Sequence, residues 1–126
     1  LPDSSIFTNS GLPKKIPAAI IYFSTECSHC QYEAEEIGKK MDSLSNAFFV
    51  WIDYHHSLKE INDFAIKYDL ANHTNIKLGK EVDYKTVPYY KIQFTPYMAI
   101  YNKEGIFVKE FREGATVTEL YNIINK

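Results

Sequence analysis

The sequence is sparing with the residues that most often announce a chemistry. Its 126 residues include two cysteines, one tryptophan and a single arginine, Arg112. Two thiols cannot build a disulfide framework, nor supply alone the four ligands of a structural zinc site. Fourteen lysines and arginines face 16 acidic residues, scattered along the chain, for a formal net charge of -2. With no basic stripe, nucleic acid is not expected as a partner. The longest apolar run falls far short of a bilayer span, so no transmembrane segment is read in this chain. From Leu1 onward there is neither a charged n-region nor an apolar h-region, and no targeting segment is read within these residues. Repeats and low-complexity tracts are missing too. What is present is ordinary for a globular domain: 45% apolar residues, with ten Tyr and eight Phe to fill a core. A chain of this length is expected to form one domain, residues 1–126, burying roughly two thirds of its unfolded surface.

The two cysteines stand close together, in Cys27-Ser28-His29-Cys30. Ahead of them, Ala18 to Phe23 is a continuous apolar run of strand length. Behind them, Cys30, Ala34, Ile37, Met41 and Leu44 recur at three- and four-residue steps, one face of a helix from about Ser28 to Leu44. The pair therefore falls where a strand turns into a helix, with Cys27 at or just before the opening turn. Unpartnered N–H groups and aligned peptide dipoles leave that end partly positive, which favours a thiolate over its thiol. Cys30 comes round nearly one turn to the same side, within reach of a disulfide with Cys27. Two plainer readings stand beside a redox-active dithiol. A structural staple across two residues closes a very short loop and gains little. A zinc site needs further ligands from His29, His55, His56 and His73, no two of which show finger spacing.

Residues 1–15, rich in Pro, Ser, Asn and Gly, read as an extended lead-in with one short strand around Ile6 and Phe7. Phe48 to Ile52 is a second apolar run, suited to a strand covered on both faces, with Trp51 in the core. Asp53-Tyr54-His55-His56 follows as a loop, its two histidines read as solvated. Ser57 and Glu60 form a capping box. The helix they open carries Leu58, Ile61, Phe64, Ala65 and Tyr68 on one face and ends near Leu70. Strand, helix, strand, helix in this order predicts right-handed βαβ units on a parallel core. Residues 71–95 are too many for a structureless connection. They are read as an extended piece around Ile76 to Glu81, then a helical turn or two from Asp83 to about Tyr90, kept short by Pro88. Tyr97 to Tyr101 and Ile106 to Phe111 read as an antiparallel pair about an Asn102–Gly105 turn. Thr116 and Glu119 make a second capping box, opening a last helix with Val117, Leu120, Ile123 and Ile124 inward.

Three stretches taken together resemble the thioredoxin superfamily, and within it the extracytoplasmic TlpA/ResA-type thiol–disulfide oxidoreductases. They are Phe23-Ser24-Thr25-Glu26-Cys27-Ser28-His29-Cys30, Tyr90-Lys91-Ile92-Gln93-Phe94-Thr95-Pro96 and Ile100-Tyr101-Asn102-Lys103-Glu104-Gly105-Ile106. The likeness runs from about Lys15 to Ile124. It implies an α/β thioredoxin fold: a central mixed sheet with a parallel βαβ N-terminal half, an antiparallel hairpin and a C-terminal helix. Residues 71–95 become an insertion before a cis-proline at Pro96. It implies a thiol–disulfide oxidoreductase with Cys27 as nucleophile and Cys30 as resolving thiol. The Cys27–Cys30 disulfide is then the redox group, with no further cofactor and no metal. Ser28, His29, Thr95 and Pro96 are expected to border the substrate, Thr95 through its backbone. The implied partners are cysteine-containing proteins and an upstream thiol electron donor or acceptor. The implied location is extracytoplasmic, in a bacterial periplasm or anchored to a membrane facing it. A non-catalytic module of the same fold, taking up a metal ion or partner protein through the cysteine pair, is the alternative.

The chain also departs from the pattern. Glu26 replaces the family's usual aromatic before the first cysteine, and its charge opposes thiolate formation if the two side chains approach. Ile21 stands where thioredoxin carries a buried acid. Glu33 matches instead a glutamate of the ResA-like branch, three residues past the second cysteine, which makes it a candidate proton relay for Cys30. From the residues alone, Glu33 reads as an exposed helix acid among Glu35 and Glu36. His29 brings positive charge towards the thiolate. A peroxidase-like use of the fold lacks support: Thr25 stands two residues before Cys27 rather than three, and Arg112 has no companion.

Overall fold

A computed structural model describes residues 15–53, 55–80 and 86–125. The expected lead-in strand at Ile6 and Phe7, and the expected helical start at Asp83, lie outside them.

The strands form in the order the apolar runs suggest. They are β1 (Ala18–Tyr22), β2 (Phe48–Asp53), β3 (Ile76–Lys80), β4 (Tyr97–Tyr101) and β5 (Phe107–Phe111). They make one mixed sheet, ordered β3-β2-β1-β4-β5. β1 pairs parallel with β2, and β2 with β3; β4 runs antiparallel to β1 and to β5. Every residue of the central β1 is buried, as its unbroken apolar run requires. The piece expected to be merely extended is thus a full parallel edge strand.

Helices α1 (Ser28–Lys39), α2 (Leu58–Lys67) and α4 (Val117–Ile124) share one core with Ala19, Ile21, Phe49, Trp51, Met98 and Ile100 of the sheet. Tyr22, Tyr97 and Ala99 gather on their own with Val87 and Tyr90 of the short α3 (Thr86–Tyr90) and with Ile92. Both predicted capping boxes are present, at Ser57/Glu60 and Thr116/Glu119, each cap worth about 1 kcal/mol. The Asn102 side chain accepts the N–H groups of Glu104 and Ile106 and closes the β4–β5 turn, with Gly105 at a positive φ of 81°.

Two helix ends differ from the periodicity. The predicted first helix stops at Lys39 and tightens into a 3-10 turn, Met41–Leu44, which keeps Met41 and Leu44 buried. The break follows Gly38, where α1 crosses the end of α2 so closely that a Cβ would overlap the Tyr68 carbonyl oxygen. α2 stops at Lys67 because Asp69 adopts a left-handed φ of 59°. Asp69 and Leu70 N–H then bond back to Ile66 and Ala65 O, and Leu70 is tucked into the core. Gly38→Ala is expected to cost about 1–3 kcal/mol, because backbone rather than a flexible side chain must move. A urea midpoint equal to wild type would show that the two helices tolerate separation there.

Candidate functional site

Strand direction brings three loops to one edge of the sheet. β1 and β2 are parallel neighbours, so both end there; antiparallel β4 begins there, with Tyr97 opposite Tyr22. The loop after β1 carries Cys27, the loop after β2 follows Asp53, and Thr95-Pro96 lead into β4.

Cys27 is the N-cap of α1, and its sulfur accepts the Cys30 N–H at 3.2 Å. The Thr95–Pro96 peptide is cis, and the Thr95 carbonyl oxygen lies 3.5 Å from Cys27 Sγ. The two thiols are free and differ sharply, Cys27 being partly exposed and Cys30 fully buried. Burial works to raise the Cys27 thiol, but hydrogen bonding outweighs it. The side chains of Cys30 and Thr95 and the N–H groups of Cys30 and His29 hold the pKa below its ordinary value. Cys30 is pushed up to about 12, first by burial and then by the neighbouring Cys27 sulfur. Ser28 and His29, on the first turn of α1, are exposed beside the pair.

Glu33 is not the exposed acid that its neighbours Glu35 and Glu36 suggest. It is buried, and its Oε1 accepts the Ala115 N–H at 2.8 Å. Gly114 passes so close that a Cβ there would fall 2.7 Å from Glu33 Oε1 and 3.1 Å from Pro96 Cγ, and its φ is 94°. Burial pushes the Glu33 carboxyl up to about 7, with Glu119 and Glu36 adding to the rise and the Ala115 N–H opposing it. Trp51 is buried, its ring 5.3 Å from that of Phe23.

No protein-family model matches the chain, and no curated protein matches it. Solved structures do. A thioredoxin-like protein from Aeropyrum pernix aligns at TM-score 0.80 and 12% identity, over 98% of this chain and 84% of that one. The fold is thioredoxin-like.

Two further thioredoxin-like matches carry functional descriptions or names of their own. A secreted Mycobacterium tuberculosis disulfide oxidoreductase homologous to E. coli DsbE aligns at TM-score 0.73 and 21% identity, covering 94% of this chain and 87% of its own. StoA from Bacillus subtilis aligns at 0.70 and 15%, covering 87% and 83%. No helix among the described residues is long and apolar enough to cross a membrane.

Sequence reasoning missed part of this edge of the thioredoxin-like fold. His55 is exposed as expected, but the His56 side chain is only 13% exposed and pairs with Asp53 and Glu26. Asp53 itself is fully buried. Its position was the available signal, an acid closing a buried strand at the edge where the neighbouring strand delivers the cysteines. Glu60 of α2 stands beside Glu26 and His56, its carboxylate oxygen within 4.8 Å of the nearest polar atom of each. Glu60 already accepts the Ser57 N–H in its capping box.

Proposed function

We propose that the protein is a single-domain thiol–disulfide oxidoreductase acting on cysteines of other proteins. The asymmetry of the pair carries this reading. A partly exposed sulfur capping a helix, with a lowered pKa, sits against a buried thiol pushed up to about 12. At neutral pH the first is the accessible nucleophile and the second is held in reserve.

In the reducing direction the Cys27 thiolate attacks one sulfur of a substrate disulfide. The new bond joins Cys27 to the substrate, and the other substrate sulfur leaves as a thiolate. Cys30 then loses its proton and attacks Cys27 Sγ, forming the Cys27–Cys30 disulfide and releasing the second substrate thiolate. Two electrons pass from the protein dithiol to the substrate. The same steps reversed oxidise a substrate dithiol at the expense of the Cys27–Cys30 disulfide. While Cys27 is bound to substrate, its negative charge no longer holds the Cys30 proton, and Glu33, three residues on, serves as the relay that takes it. Ser28, His29, Thr95 and Pro96 border the substrate. The exposed Phe94 beside Thr95 adds apolar surface for the bound chain. The helix N-terminus and the backbone N–H of His29 both favour the thiolate, which stabilises the reduced form and draws the couple towards the oxidising side. An upstream thiol donor or acceptor completes the cycle. The secreted mycobacterial match supports an extracytoplasmic setting.

Reduction of a disulfide-bonded protein with stoichiometric dithiothreitol, run beside metal analysis of the purified protein, tests the reading. Turnover without bound metal is expected. Bound metal without turnover would make the pair a binding site instead.

A further inference from the structure

The polar cluster at the end of β2 reaches directly into the cysteine loop. Asp53 Oδ2 accepts the Thr25 N–H at 3.3 Å, and Oδ1 accepts the N–H groups of His55 and His56 at 2.7 and 3.1 Å. His56 Nδ1 lies 2.8 Å from Asp53 Oδ2, and its other ring nitrogen, Nε2, lies 3.2 Å from Glu26 Oε1. A ring with a carboxylate at each nitrogen donates from both, which is the geometry of an imidazolium. Two other charged groups face it. Glu60 of α2 adds negative potential, and Lys80 of β3 donates its Nζ to the His56 carbonyl oxygen at 2.9 Å. Burial opposes charge on the ring, but Asp53 first, then Glu26 and Glu60, outweigh it and raise its pKa above the ordinary value.

Glu26 is the residue before Cys27, so an unpaired carboxylate there disfavours a thiolate next door. We propose that His56 is a positioning residue of the dithiol site: it draws the Glu26 carboxylate aside and offsets its charge, so that Cys27 ionises without an unpaired acid beside it. This rests on the reading of Cys27 as nucleophile. Coupling of this kind is reciprocal: a neutral imidazole raises the thiol pKa, and a thiolate raises the imidazole pKa. Cys27 reactivity therefore follows the charge on the His56 ring, which reaches the thiol through Glu26. Gln31 Nε2, donating to Thr25 O at 3.0 Å, braces the same turn from α1.

The test is the rate of Cys27 alkylation by iodoacetamide as a function of pH in the reduced protein. His56→Gln is expected to raise the apparent thiol pKa and slow alkylation at neutral pH, by up to about fivefold for a partly exposed ion pair. Adding Glu26→Gln to that variant is expected to restore the wild-type rate, because the offending charge is gone. A His56→Gln profile equal to wild type, or a double variant as slow as His56→Gln, would overturn the proposal. If His56→Gln fails to fold, the wild-type His56 titration decides. Its NMR midpoint should fall when Cys27 is capped with iodoacetamide, and an unmoved midpoint overturns the coupling. Alkylation needs no turnover, so a protein that couples these groups but reduces no disulfide would refute the proposed function alone.

Discussion

Cys30→Ala is expected to accumulate substrate proteins in mixed disulfides on Cys27, and Cys27→Ala to accumulate none. Access and charge separate the two thiols. Cys27 is partly exposed, its sulfur is held by the Cys30 N–H at 3.2 Å, and its pKa is lowered. It can therefore meet an incoming disulfide as an anion. Cys30 is fully buried with a pKa pushed up to about 12, so alone it has neither exposure nor thiolate. Removing Cys30 leaves the first step intact and blocks the second, and the adduct persists until external thiol releases it. Removing Cys27 removes the first step. Catalysed disulfide turnover should fall in both variants, on the order of a thousandfold or more for loss of the nucleophile. Non-reducing gels with thiol-quenched samples distinguish the two variants. Equal trapping by both would remove the assigned roles, and trapping by Cys27→Ala alone would reverse them.

Residue types and spacings reveal the cysteine corner because everything that builds it is local. A buried strand, a helix phase set by Ala34 and Ile37, and a cap at Cys27 all lie in one short stretch, from Ala18 to Ile37. The capping boxes and the Asn102 turn are legible for the same reason: each closes over three or four residues. The surroundings of the site are assembled from much farther apart. Helical phase could place Glu33 on the Cys30 face, but the group it meets is the Ala115 N–H, 82 residues away, beside Gly114. Nothing near Glu33 announces that contact, so it reads as one acid among three. His56 is similar. In sequence it ends a polar loop; in space the parallel pairing of β1 and β2 sets it against Glu26, 30 residues earlier. The early end of α1 also has a distant cause, the Tyr68 carbonyl against Gly38. Local chemistry is written in adjacent residues, and its tuning is written in the sheet order.

Glu33→Gln is expected to stabilise the protein at alkaline pH while slowing the second redox step. Burial holds the Glu33 carboxyl at about 7 against an ordinary 4.5. Between those two values the native chain keeps a proton that the unfolded chain has released. Stability from this group is therefore greatest below the unfolded value, falls as pH rises towards 7, and stays low above it. The difference corresponds to about 3 kcal/mol, an order-of-magnitude figure for a group that is 6% exposed. Glutamine keeps an oxygen for the Ala115 N–H and carries no charge to bury. The variant should match wild type near pH 4, exceed it by up to about 3 kcal/mol at pH 8, and show a flat profile between, read from urea midpoints at each pH. The same substitution removes the group proposed to take the Cys30 proton, so a mixed disulfide on Cys27 should live longer and turnover should lose its dependence on ionisation near pH 7. The two readouts separate two roles for one carboxyl. A stability gain with unchanged turnover would leave Glu33 a buried acid that only costs stability, whereas slower resolution with the gain would place it on the proton path.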